Sequence, residues 1–391
     1  MAGTNGKGSV TAMTHAALRA AGLHAARYTS PHLTDLAERF VIGDGPVPAV
    51  LLEAAAADVL ACADRLRLSG GLPVHPTFFE ATTATAFELF RRAGVSVAVV
   101  EVGLGGRFDA TNVIVPAAGA ITTIDFDHQQ HLGHSLEAIA FEKAGIIKPG
   151  MTTVIGEMSP GARAVIRRSA AERGATLVEA AADARWDVTM DTGRARLTLS
   201  TPRGTYGPVT LGLPGAHQVG NAIVAVRLLE AAAERGIVVP SAAIERGLAA
   251  AQWPGRLERI PVGAGRSVLL DSAHNAEGAR ALAAHLRAWY PERPTLVLGV
   301  MRDKNVEAIA EALLPVTASV VVTAAPTPRA IPAAELAASL RSLGANVVAV
   351  EPDPWRAVAA ALDTDRPVCV AGSIFLIGAV RELVRQRAIL P

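Results

Sequence analysis

Aromatic side chains make up only 4% of this 391-residue chain, although half of its residues are hydrophobic. Its core must therefore be built mostly from alanine and valine rather than from rings. Cysteine is nearly absent. Cys62 and Cys369 lie far apart and match no metal spacing, which excludes a disulfide scaffold and a thiolate metal site; both read as reduced residues of a core or helix. Neither sign of charge dominates, with 37 basic and 36 acidic residues, so there is no electrostatic footprint for nucleic acid. No apolar run reaches the roughly 18 residues that span a bilayer, and the first residues form no signal-peptide core. A cytoplasmic protein that binds neither membrane nor nucleic acid is expected, with enough apolar content to exclude global disorder. The length suits two domains.

What is present is alternation. Short β-rich apolar runs succeed amphipathic alanine-rich stretches, the pattern of an α/β protein with a mainly parallel sheet. The spacing predicts helices over 10–22, 78–94, 217–235 and 241–251, and buried strands over 96–103 and 118–125. From Trp186 to Leu213 the pattern becomes alternating and turn-rich, which predicts a small antiparallel insertion. WPGR (253–256) marks a break, after which SVLLDSAHN, TLVLGVMRDKN, SVVVTAAP, NVVAVEP and PVCVAGS begin a second, smaller Rossmann-like cycle. The expected domains are 1–253 and 254–391.

GTNGKGS (Gly3, Thr4, Asn5, Gly6, Lys7, Gly8, Ser9) reads as a phosphate loop opening a helix. Its glycines let backbone N–H groups converge on an anion, Lys7 adds a point charge, and Ser9 offers a hydroxyl to Mg²⁺. Glu101 ends a strand of valine and alanine, where a carboxylate serves equally as a metal ligand or as a hydrogen-bonded strand end. GLGGR after it lacks the third glycine of a dinucleotide fingerprint, Phe108 standing there instead, so that assignment is rejected. Asp125, Asp127 and His128 leave the next strand and suit metal or phosphate handling. His131 and His134 read as surface residues, and Glu142 with Lys143 as a solvated charge pair. Asp271, His274 and Asn275 follow a buried strand, where turn chemistry competes with a functional role.

These segments, with YTSPHL (28–33), PTFFEATTATAF, VVEVGLGGRFDATN, EKAGIIK, PGRLE and AGSIFLIG, resemble the folylpolyglutamate synthase and dihydrofolate synthase family of Mur-type ATP-dependent amide ligases. The resemblance runs from residue 2 to the C-terminus. It implies a P-loop Mur-ligase-like first domain and a glutamate-ligase second domain. The implied reaction has ATP phosphorylate a carboxylate of dihydropteroate or a reduced folate, and L-glutamate attack the acyl phosphate. It further implies Mg²⁺, in two sites, held by Ser9, Ser30, Glu101 and His128, and a Lys143 carboxylated by CO₂. Asn221, Arg256 and Asp271 match ATP-contacting positions. His274 and Ser373 match positions beside the incoming glutamate. Thr77, Phe78, Phe79 and Glu80, with Phe108, Asp109 and Ala110, match the pterin side, where rings stack on a flat heterocycle. The implied state is a monomer.

Two alternatives share the fold: a folylpolyglutamate synthase alone, and another Mur-type amino-acid ligase. A non-enzymatic P-loop module would leave DHQQHLG, EKAGIIK and LDSAHN unexplained. The resemblance also implies several tens of residues and a short apolar strand before the phosphate loop, where this chain has Met1. The expectation is a natural start upstream, or a short form completed by another chain. As given, the chain is expected to carry a loose loop, and to fold poorly or bind ATP weakly.

Overall fold

Valine- and alanine-rich runs of four residues recur as strands in this chain, with alanine-rich helices between them. The computed structural model describes residues 1–263 and 265–388. The first half contains, in order, α1 (Lys7–Ala20), β1 (Ala25–Tyr28), β2 (Phe40–Ile42), β3 (Gly45–Pro46), α2 (Ala49–Leu68), α3 (Phe78–Arg92), β4 (Val97–Val100) and β5 (Ala118–Ile121). It continues with α4 (Gln129–Leu132), α5 (Leu136–Ala144), β6 (Thr152–Ile155), α6 (Pro160–Glu172) and β7 (Thr176–Glu179). β8 (Arg185–Asp191), β9 (Arg194–Thr201) and β10 (Gly204–Thr210) form the antiparallel insertion, before α7 (Gln218–Ala233) and α8 (Ser241–Ala250).

The second unit comprises β11 (Glu258–Gly263), β12 (Arg266–Leu270), α9 (Ala276–Trp289), β13 (Thr295–Leu298), α10 (Val306–Leu313) and β14 (Ser319–Val322). α11 (Ala333–Ser342), β15 (Val347–Val350), α12 (Pro354–Leu362), β16 (Val368–Ala371) and α13 (Ile374–Ala388) complete it. Its six strands lie in the order β11-β12-β16-β13-β14-β15, parallel except for β11. β13, β14 and β16 are buried at every position, as strands covered by helices on both faces must be.

The first unit is less regular. β3-β2-β1-β4 and β5-β6-β7 are separate ladders. Among the described residues these ladders are joined only where Met1 and Ala2 lie between β4 and β5, Ala2 bridging Ile121 in parallel. α7 packs against β5, β6 and the insertion, supplying Ile223, Val224 and Leu228 to a core shared with Val10 and Met13 of α1.

Several expected boundaries move by a few residues, β4 for one ending at Val100 rather than Gly103, and two of the shifts serve the same end. α1 starts at Lys7 rather than Val10, so the glycine loop feeds straight into its first turn. β5 stops at Ile121 rather than Asp125, because Thr122 to Asp125 turn away from the ladder to bond the phosphate loop. Residues 25–46, which the sequence left unassigned, supply β1 to β3. Cys62 is exposed on α2, and Cys369 is buried in β16.

α7 is locked to the insertion by a buried polar group. Glu230 accepts from Arg227 (2.9 Å), from the Tyr206 hydroxyl (2.8 Å) and from Thr201 (2.5 Å). Removing the carboxylate strands a guanidinium that is almost wholly buried. Glu230→Ala should therefore lower unfolding stability by about 3 kcal/mol, measured by urea titration, and Tyr206→Phe by only about 1 kcal/mol.

Candidate functional site

Gly3 to Ser9 curls out of the Met1–Ala2 bridge and into α1. Thr4 N donates to Thr123 O (2.7 Å), the Thr4 hydroxyl donates to Asp125 O (3.0 Å), and Asn5 N donates to the Thr123 hydroxyl (3.2 Å). A loose loop was expected beside the free N-terminus; instead these bonds tie it to the end of β5. Gly6 caps α1 with φ of 84°, and a β-carbon there would collide with the Asn221 side chain. A β-carbon on Gly8 would lie 2.6 Å from the ring of Trp253. The first turn of α1 thus presents free backbone N–H groups to the cleft, the geometry of an anion site.

Two lysines meet at this loop. Lys7 Nζ folds back onto Gly3 O (3.0 Å) and Thr4 O (3.2 Å), and Lys143 Nζ, from α5, donates to the same Gly3 carbonyl (2.9 Å). Lys143 is buried, which corrects its assignment as a solvated charge. Burial, helped by the nearby Lys7 cation, lowers its pKa to about 7. Glu142, its neighbour in sequence, faces Arg107 instead.

Glu101, just past β4, is buried, and its Oε2 has no hydrogen-bond partner. Burial raises its pKa to about 7 against the pull of Lys7, the Met1 ammonium and Arg256. An orphaned carboxylate oxygen among phosphate-binding groups fits a divalent cation. Among the described residues no three His, Cys, Asp or Glu side chains gather as a protein-only metal cluster. Such a cation would share Glu101 with hydroxyls, an imidazole and phosphate oxygens. Ser30 lines the same wall as Glu101, while Ser9 is buried in the first turn of α1.

His128 precedes α4 in a left-handed conformation (φ 49°), unusual for a residue with a β-carbon. Desolvation lowers its pKa to about 4, so it is neutral and able to ligate at neutral pH. Asp127 beside it gathers the second unit. It accepts from Lys304 (2.5 Å) and Asn275 (3.0 Å) and lies 3.5 Å from His274 Nε2. Burial would raise the Asp127 pKa, but His274, Lys304 and His128 together hold it well below the usual carboxylate range. A carbonyl oxygen can only accept, so the Ser272 O contact (2.8 Å) fixes a proton on His274 Nδ1.

These groups line one cleft of about 720 Å³ between the two units. Of the expected positions, the cleft wall includes Gly3 to Gly8, Ser30, Thr77 to Glu80, Glu101, Phe108 to Ala110, His128, Lys143, Arg256, His274 and Ser373. Three stand behind it. Ser9 lies in α1, Asn221 against Gly6, and Asp271 accepts from Leu257 N and Ala273 N (both 2.9 Å), holding the chain that carries Arg256. Ser373 is buried at the start of α13 and accepts from Phe375 N (3.2 Å).

The pterin-side expectation divides by packing. Phe78 and Phe108 are exposed on the rim, under the guanidiniums of Arg39 (5.4 Å) and Arg107 (4.7 Å). Phe79 packs instead against Tyr28 (6.2 Å) and beneath Gly103. Thr77 and Glu80 satisfy each other in a capping box at the start of α3. Asp109 accepts from Leu104 N (2.8 Å) and Thr111 N (3.0 Å), shaping the loop.

Sequence reasoning assigned no role to Arg39, Asp303, Lys304 or Arg329, all of which line the cleft; His131, read as a surface residue, is exposed at the cleft wall. GVMRDKN carried the signal for Asp303 and Lys304: charged residues directly past a buried strand.

Comparison with known proteins agrees with this geometry. The Mur ligase middle domain matches residues 1–229, and the Mur ligase glutamate ligase domain matches residues 255–374. The folylpolyglutamate synthase of Lacticaseibacillus casei is 34% identical over 97% of this chain and 88% of its own length. A Mycobacterium tuberculosis folylpolyglutamate synthase, solved with ADP and AMPPCP, superposes with a TM-score of 0.90 at 34% identity, covering 98% of this chain and 90% of that one. The E. coli FolC structure with DHPP and ADP gives a TM-score of 0.86 at 30% identity, covering 99% and 88%. With both domains matched in order along one cleft, the chain belongs to the Mur ligase family, in its folylpolyglutamate synthase and dihydrofolate synthase branch.

Proposed function

We propose that this chain joins L-glutamate to the carboxylate of dihydropteroate or of a reduced folate, using ATP. One observation carries the reading: a single cleft holds a phosphate loop with two converging lysines, an aromatic rim, and a wall from the second unit bearing His274 and Ser373. The relatives' names support the same substrates, and the structure of the E. coli protein held DHPP with ADP.

In the first step a substrate carboxylate oxygen attacks the γ-phosphorus and the bond to ADP breaks. In the second the glutamate nitrogen attacks the acyl carbon, phosphate departs, and the amine gives up a proton. Lys7 moves from the loop carbonyls to the phosphates, and the α1 N–H groups hold their oxygens. Ser9, Ser30, Glu101 and His128 would hold Mg²⁺, in two sites, which when bound neutralises charge developing on the transferred phosphoryl group. Asn221, Arg256 and Asp271 frame the nucleotide. His274, held by Ser272 O at Nδ1 and by Asp127 at Nε2, stands beside the incoming glutamate, and Ser373 orients it. The rings of Phe78 and Phe108 take the flat heterocycle.

Lys143 reacts with CO₂ in this reading: the neutral amine attacks the carbon and loses a proton, leaving a carbamate. Its lowered pKa supplies neutral amine near pH 7. The domains divide near Pro254, in the turn between α8 and β11. The protein acts as a cytoplasmic monomer; among the described residues no helix is long and apolar enough to cross a membrane.

Purified protein with MgATP and L-glutamate, given dihydropteroate and tetrahydrofolate in separate tubes, should yield one added glutamyl unit in each by mass spectrometry. Product from tetrahydrofolate alone would restrict the activity to polyglutamylation, and none from folded protein would sink the reading. Lys7→Ala and His128→Ala should each lower kcat/KM by about a thousandfold with folding intact. Lys143 allows a second check, in CO₂-free buffer. The unfolded chain holds the lysine proton up to about 10.5 and the folded chain only up to about 7, so folding releases it in between. Stability measured by urea unfolding should rise with pH from 7 to 9.5 relative to Lys143→Met, and parallel curves would show that the lysine is not desolvated.

A further inference from the structure

Gly8 separates Lys7 from Ser9 in the first turn of α1, with no left-handed φ that would call for a glycine. What excludes a larger residue is Trp253, since a β-carbon on Gly8 would lie 2.6 Å from two of its ring carbons and 2.7 Å from Nε1. The Arg27 guanidinium of β1 lies over the same ring, 5.2 Å from its centroid. Trp253 belongs to the connection between the two units, and that connection has little else to hold it. Before it, Ala251 N still donates to Gly247 O (3.0 Å), and Gly247 of α8 packs directly on Ala17 of α1. After it, Gly255 N donates to Glu258 (2.8 Å), Gly255 O accepts from Ser272 N (2.8 Å) and Leu257 N donates to Asp271 (2.9 Å), all within the second unit. Among the described residues no hydrogen bond reaches residues 252–254, so the seat of one ring sets their position.

Arg256 stands at the far end of this connection and lines the cleft. Its charge acts on Glu101 of the first unit and on Asp271 of the second. Among the described residues its guanidinium nevertheless has no ion pair and no hydrogen bond. With nothing grasping its tip, its placement follows from the backbone that carries it. We propose that Trp253 is a positioning residue for the ligation reaction: its ring, keyed to Gly8 and Arg27, sets the direction in which the connection leaves the first unit and so delivers Arg256 to a nucleotide at the phosphate loop. The proposal rests on the nucleotide role given to Arg256 above. Arg27 lies over the ring and Gly8 against it, so Trp253 acts through Arg256 and not by stacking on the base. Because the seat is a residue of the loop itself, the loop and Arg256 keep a fixed separation. A nucleotide that spans them then meets groups already in register.

The test measures MgADP binding by titration calorimetry on the whole protein and its variants, with Tm recorded for each to show that it is folded. Arg256→Ala should raise Kd about thirtyfold, as loss of a charge-assisted contact does, and Trp253→Ala about tenfold. Trp253→Phe, which keeps a ring in the seat, should stay within about twofold of the parent. In the Arg256→Ala background Trp253→Ala should change Kd by less than about twofold, because the group it positions is gone. Gly8→Ala should cost about tenfold alone and less than about twofold once Trp253 is alanine, because its β-carbon then meets no ring. Trp253→Leu takes the place of the alanine variant in the same cycles should that one not fold. An equal loss from Trp253→Ala with and without Arg256 would overturn the positioning role and leave the nucleotide role of Arg256 standing. Arg256→Ala binding as tightly as the parent would overturn both. An equal cost of Gly8→Ala with and without the ring, or a Trp253→Phe as weak as Trp253→Ala, would overturn the seat.

Discussion

A phosphate loop needs something rigid behind it, and here hydrogen bonds to the loop's flanks supply that rigidity. Met1 and Ala2 supply two rungs between β4 and β5. Thr122 to Asp125 leave the ladder to bond Ala2, Thr4 and Asn5. The Asn5 side chain reaches Asn275 (3.2 Å) and Glu277 (2.5 Å) of the second unit. The loop is therefore fixed from the sheet below and from the opposite domain in front, and the position of each later group is set relative to it.

Asp127 extends that link across the cleft. Its partners Lys304, His274 and Asn275 all come from the second unit, while His128, next in sequence, carries the neutral imidazole of the first. Arg280 adds a bond to Asp125, and Glu277 one to Thr123 (3.0 Å). A pair buried between domains returns its desolvation cost only when the remaining lone pairs are also filled, and Asp127 fills them from several directions. Domain closure and the electrostatics of the site are one interaction here, because the residues that hold the units together also set the charge around the phosphates.

Much of this was legible in the sequence. Continuous apolar runs gave β4, β5 and the second sheet, since buried parallel strands need no alternation. GTNGKGS gave the loop from its glycines and lysine alone. Lys143 was not legible from spacing: a Glu-Lys pair on a helix reads as solvated, and only the packing of α5 against the loop buries one member while leaving the other near Arg107. Lys304 and Arg329 were missed because their partners lie far away in sequence. Asn5 and Glu277 likewise meet only after both units fold. The short strands at 25–46 were obscured by intervening polar turns, and the capping box of Thr77 and Glu80 showed that residues beside a site can serve the helix that builds it.

The hold of the loop carbonyls on Lys7 carries a consequence for selectivity. Its ammonium is not bare in this geometry; it already rests on the neutral oxygens of Gly3 and Thr4. An arriving anion displaces a dipole and gains only the difference between charge–charge and charge–dipole attraction. That difference grows with every negative charge the newcomer brings. The loop is thereby biased against chloride, bicarbonate and other single charges that abound in a cell, and toward a polyanion such as a triphosphate.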